Sequence, residues 1–170
     1  MRYLSLGLLT LAGCTYDPPA ETRETAVEES AQQSRPVGEW TTDPATGEVR
    51  ASITTEEGTT TLEAGSQVVA RLPRDFTLYP GARIVNTINI GRGEGRGILL
   101  SIESDDPVER LVAYYRREAE EADVAIELDM SSEAMTMIGG KGGRINNFVF
   151  QASRESGRTT GQLTIESGLN

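Results

Sequence analysis

The chain has 170 residues, 16 basic and 26 acidic side chains, a formal net charge of −10, one cysteine and no histidine. That length suits one domain with a tail, the missing imidazole excludes Ser-His-Asp and Cys-His relays and histidine metal sites, and a lone thiol excludes an intramolecular disulfide or a thiolate zinc site. The acid excess, set against 15 arginines and the single Lys141, argues against nucleic acid as a partner, because phosphate neutralisation needs clustered cations.

Arg2 forms a minimal positive region, and an apolar run follows from Tyr3 to Leu11. The run is far shorter than the ~20 apolar residues of a membrane-spanning helix and fits the core of an export signal. It closes on Leu11-Ala12-Gly13-Cys14, which resembles the lipobox of bacterial lipoproteins. The resemblance implies that residues 1–13 are a signal peptide and that Cys14 becomes the lipidated first residue of the mature protein. The covalent diacylglyceryl and acyl lipid on Cys14 would then be the only prosthetic group. Thr15 stands where an aspartate would, by resemblance to enterobacterial sorting, hold a lipoprotein in the inner membrane. The expected location is therefore the cell envelope, on the outer membrane and facing the periplasm. Each buried methylene contributes ~0.8 kcal/mol, so several acyl chains anchor durably where one binds only marginally.

Residues 14–44 carry Pro18-Pro19, Glu21, Glu24, Glu28 and Glu29, with almost no large apolar residue before Trp40. Such a composition buries too little surface to offset ordering entropy, which predicts a disordered acidic tether. Thirty flexible residues span about 30 Å, enough to hold a domain clear of a bilayer.

A single domain is expected over residues 45–167. Val49, Ala51 and Ile53 alternate before Glu56-Glu57-Gly58, and Thr60 and Leu62 alternate after it, which predicts a β-hairpin. Ile84, Ile88 and Ile90 are expected on one face of the next strand, with Ile98, Leu100 and Ile102 on its partner across the Gly91 to Gly97 turn. Asp106, Pro107 and Glu109 then form a capping-box-like start to a helix over about 107–122. Val108, Leu111, Val112, Tyr115, Ala119 and Ala122 make its apolar stripe, and Glu118 falls on the opposite, solvated face. Val124, Ile126, Leu128 and Met130 alternate next, followed by Phe148, Phe150 and Ala152 and finally by Leu163 and Ile165. One apolar and one polar face per strand is the pattern of antiparallel sheets with one side in water. The order predicts an α+β fold: an antiparallel sheet of short strands, preceded by a β-hairpin, with one amphipathic helix packed on one face. The stretch Leu72 to Ala82 with Tyr79-Pro80-Gly81-Ala82, the Asp-Asp-Pro-Val helix with Tyr114-Tyr115, and Met137-Ile138-Gly139-Gly140 resemble an uncharacterised group of proteobacterial lipoproteins. That resemblance spans most of residues 45–167 and implies no activity.

Two glycine-rich runs, Gly91 to Gly97 and Gly139 to Gly143, lack the spacing of nucleotide-binding loops and predict hairpin tips. Their cations, Arg92, Arg96, Lys141 and Arg144, would form a basic patch for an anion or a partner if both tips sit at one end of the sheet. The competing expectation is solvated loop charge that keeps strand edges from pairing. Asp105 and Asp106 are expected to cap the helix, Glu127 and Asp129 to share a polar strand face, and Met130, Met135 and Met137 to pack at the core or an edge. No catalytic residue and no metal ligand is assigned. The expected function is a lipid-anchored envelope protein whose non-catalytic domain binds an envelope protein or a cell-wall polymer. The alternatives are a small-ligand carrier with an apolar cleft between helix and sheet at Leu111, Tyr115, Phe148 and Phe150, and behind it a carboxylate-based hydrolase.

Overall fold

A computed structural model describes residues 38–56 and 58–169. Cys14, the signal over 1–13 and residues 14–37 of the expected tether lie outside the described residues. Nine strands form one sheet: β1 (Glu39–Thr42), β2 (Val49–Thr55), β3 (Gly58–Gly65), β4 (Arg83–Arg92), β5 (Gly95–Ser104), β6 (Ala125–Ser131), β7 (Thr136–Gly142), β8 (Ile145–Glu155) and β9 (Arg158–Ser167). The single helix, α1 (Val108–Glu121), lies between β5 and β6 in the chain. Every neighbouring pair is antiparallel and the order is β1-β2-β3-β4-β5-β9-β8-β7-β6. Two meanders, β1 to β5 and β6 to β8, are thus joined by the last strand, which pairs with β5 on one side and β8 on the other.

The α+β expectation is corrected by this architecture. Strands hold 56% of the described residues, and α1 packs chiefly on β8, β6 and β7. The other half of the same face is covered by the irregular segment 66–82, whose Leu72, Phe76, Leu78 and Tyr79 join the core. The fold is a β sheet with one helix on it, and two of its strands had no clear alternation to reveal them. Strand β1 consists of Glu39, Trp40, Thr41 and Thr42 and lies within the residues that composition assigned to the tether. Strand β7 runs through Gly139, Gly140 and Lys141, residues expected in a hairpin tip, so the tip itself is only Gly143-Arg144.

Two β-bulges decide which side chains face the core. In β4 the register shifts between Ile84 and Asn86. Ile84 therefore faces α1's side of the sheet, whereas Ile88 and Ile90 face away, opposite Leu99 and Gly97. Thr87 and Asn89 take the inner positions and are buried at 0% and 6% exposure. Thr87 Oγ1 has no hydrogen-bond partner, a polar atom turned inward because a bulge inserts one residue and inverts everything after it. A second bulge between Ile126 and Leu128 does the same in β6. Leu128 and Met130 consequently leave the face that Ile126 occupies, and Met130 is exposed.

The helix stripe buries Leu111, Val112, Tyr115 and Ala119, but its polar side differs from expectation in two places. Pro107 is the N-cap, with no side-chain cap bond. The Asp106 carboxylate is instead taken by Arg110 Nη1 at 2.9 Å and by the Tyr79 hydroxyl at 2.8 Å. Glu118 is buried, because segment 66–82 reaches over it: its Oε2 accepts the Thr77 amide at 2.7 Å and the Thr77 hydroxyl at 2.9 Å.

Candidate functional site

The four cations lie at one end of the sheet. The β4–β5 tip is Gly93-Glu94, Arg96 pairs with Ser167, Glu166 pairs with Asn147, and β8 leads back to the Gly143-Arg144 tip. Three strand steps of about 4.8 Å separate the tips, or about 14 Å. They do not make a compact patch. Arg92 pairs with Gly95 and Arg96 with Gly91, which puts the two on opposite faces. Glu94 lies between them in the chain, Lys141 stands 3.8 Å from the Glu127 carboxylate, and Glu166 lies in the intervening strand. Arg96 Nη1 turns back to donate to the carbonyls of Gly93 and Gly95, each at 2.7 Å.

Neither glycine run leads into a helix, and their glycines answer to close packing. A Cβ on Gly95 would stand 2.4 Å from the Gly168 carbonyl oxygen, and one on Gly140 would stand 2.0 Å from the Ala125 oxygen. Asp129 faces α1 and pairs with Arg116 at 2.8 Å, while Glu127 meets Lys141 beside the bulge. The two carboxylates are thus split between separate cations, and among the described residues no group of three or more His, Cys, Asp or Glu could hold a metal.

Leu111, Tyr115, Phe148 and Phe150, the expected walls of a carrier cleft, are all at 0% exposure. The Tyr115 and Phe150 rings are 4.4 Å apart, and Phe76 stacks on Phe148 at 5.6 Å. These rings fill the space between helix and sheet themselves. Burial pushes the Tyr115 hydroxyl up to about 12. Its oxygen accepts the Tyr79 amide at 3.2 Å, so the Tyr79-Pro80-Gly81 turn is docked on α1 through neutral groups. Sequence reasoning missed how this segment docks because helical periodicity puts Glu118 on the solvated face.

At the opposite end of β5, Glu103 is shared by Arg83 and Arg158, the latter at 3.2 Å. Arg158 is the larger influence holding the Glu103 carboxyl below the usual range, with Arg83 adding to it. Replacing Arg158 with alanine is expected to raise the Glu103 titration midpoint, followed by carboxyl-carbon NMR. An unchanged midpoint would show that the pair is not formed in solution. Because the folded carboxyl ionises more readily than the unfolded one, any stability it adds is present above the ordinary carboxylate range and is lost as pH falls through the lowered midpoint.

Away from α1 and segment 66–82, one register row crosses all nine strands: Thr42, Val49, Ala64, Ile88, Leu99, Thr164, Val149, Gly139 and Leu128. None is charged, and seven of the nine are half-buried. Beside it Trp40, Ala51, Leu62 and Ile90 make a second apolar row, with Trp40 61% exposed. The outer face expected to be polar is therefore apolar along its middle, because both bulges turn aliphatic residues outward. Comparison with family models, characterised proteins and solved structures gives no match.

Proposed function

We propose that this is a lipid-anchored envelope protein, tethered through Cys14, whose sheet is a non-catalytic docking platform for another protein. The observation that carries the docking role is the uncharged row crossing all nine strands on the face away from α1. A broad, shallow aliphatic surface is matched by a counter-surface of similar flatness, which a folded protein offers. A cell-wall polymer, dense in hydroxyl and amide groups, would find no hydrogen-bond partners for those groups on such a row. Filling of the helix–sheet space by Tyr115 and Phe150 favours docking over carriage in that cleft. The anchor is supported by the Leu11-Ala12-Gly13-Cys14 resemblance, and among the described residues no helix is long and apolar enough to cross a membrane.

The full chain, carrying a photo-crosslinking residue at Leu99 in the row or at Ala113 on the exposed side of α1, tests both halves. The chain is expected in the membrane fraction, to leave it on Cys14→Ser, and to give a discrete protein adduct from Leu99 and none from Ala113. Ile88→Glu, beside Leu99 in the row, is expected to remove the adduct. Membrane association independent of Cys14, equal labelling from both positions, or an adduct twice the chain's own mass would overturn the proposal.

A further inference from the structure

A second site lies on the other face of the sheet, under the arch of segment 66–82. A cavity of about 620 Å³ separates Arg71, Leu72 and Pro73 from the strands below. It exists because the inward positions beneath are small: Thr61, Gly91 and Ser167 occupy one register row with Arg96 and leave nothing to reach Leu72. The arch is braced. Asn89, buried at 6% exposure, accepts the Arg71 amide at 3.2 Å and donates to the Val69 carbonyl at 2.9 Å. The space is therefore held open by a satisfied buried amide, and its volume lies within the range of small-molecule pockets.

Its chemistry is divided. Leu72, Pro73, Ile98 and Ile165 supply apolar walls, and two guanidinium groups stand in the lining. Arg71 is matched by Glu63 at 2.9 Å. Arg96 is not matched: two carbonyls pin its Nη1, and no carboxylate of the described residues pairs with it. A guanidinium fixed in place without a counter-ion, in a chain of net charge −10, is prepared for an anion, since little side-chain freedom remains to be lost on binding. We infer that this cavity binds a small amphipathic anion, with a carboxylate or phosphate head on Arg96 and an apolar body against Leu72, Pro73, Ile98 and Ile165. The site is separate from the outer face proposed for protein docking and does not depend on it.

The test uses the full-length chain with Cys14→Ser, kept free of lipid and detergent, and isotope-labelled for NMR. Decanoate, decyl phosphate and decyltrimethylammonium are titrated below their micelle concentrations. One or both anions are expected to give saturable shifts at the Gly91, Gly93 and Ile98 amides, and the preferred anion distinguishes a carboxylate from a phosphate ligand. The ammonium is expected to bind at least about tenfold more weakly, because the same tail is retained and only the sign of the head changes. Arg96→Gln is expected to weaken anion binding about tenfold. Thr61→Trp, which fills the cavity and leaves Arg96 in place, is expected to abolish it, with the native spectrum confirming the fold of both variants. Absence of saturable shifts, equal binding of the ammonium, or wild-type affinity in either variant would overturn the site.

Discussion

Replacing Phe150 with alanine is expected to lower the unfolding free energy by about 4 kcal/mol, the middle of the range for deleting a buried aromatic ring. Phe150 sits on β8 between Ile138 of β7 and Leu163 of β9, and its ring meets Tyr115 of α1. It also lies over Gly161: a Cβ there would stand 3.1 Å from the Phe150 ring. Gly161 has no side chain to swing into the vacated space, and two strands and the helix fix the remaining walls, so the cavity stays open. A domain of this size has only about 5–15 kcal/mol in total. Urea denaturation measures the loss, with Val149→Ala as the internal control. Val149 is the next residue but faces outward, so its truncation is expected to change stability by under about 1 kcal/mol. Equal losses at the two positions would contradict the face assignment of β8.

Gly140→Ala is expected to be nearly as damaging, at about 3 kcal/mol, although it adds a single carbon. The new Cβ would stand 2.0 Å from the Ala125 carbonyl oxygen and 2.9 Å from its carbon. These are backbone atoms, which no rotamer change relieves, so the start of β6 has to move away from β7. Because β6 is at the sheet's edge, the damage is expected to be uneven. Hydrogen exchange should accelerate at the Ile126 and Leu128 amides while those of Leu163 and Ile165 in β9 stay protected. Wild-type exchange in β6 would mean that the strand tolerates the contact and that Gly140 is not required by packing.

What could be read from the sequence, and what could not, divides along physical lines. Ile98, Leu100 and Ile102, the Phe148–Phe150–Ala152 series, and Leu163 with Ile165 alternate without interruption, and all are buried as expected. The helical stripe was equally plain, because Leu111, Val112, Tyr115 and Ala119 recur at the spacing that a buried helix face demands. Alternation alone puts Ile88, Ile90, Leu128 and Met130 on the wrong face, since it assumes an unbroken period and nothing in Val85 or Glu127 announces a bulge. Helical periodicity puts Glu118 in solvent, because the partner that buries it, Thr77, lies 41 positions earlier in an irregular segment. The cavity beneath residues 71–73 is invisible in the sequence for the same reason: it is made by an arch and by three small residues drawn from three different strands. Of the cations singled out, Arg96 lines that cavity, while Arg92, Lys141 and Arg144 do not. Arg96 stands out only when its two carbonyl bonds and the lack of a carboxylate partner are seen together.

The central position of β9 has a consequence for synthesis. Residues 39–104 can form a meander as they emerge, and so can 125–155, but the two have no strand pairing with each other until β9 arrives. The seam of the sheet is therefore closed by a strand that is synthesised after both meanders. Until then the β5 and β8 edges, carrying Ile98, Leu100, Phe148 and Phe150, stay open to any passing strand. A chain lacking β9 would be left as two half-sheets with the apolar β5 and β8 edges bare, so this one strand separates an assembled domain from an aggregation-prone one.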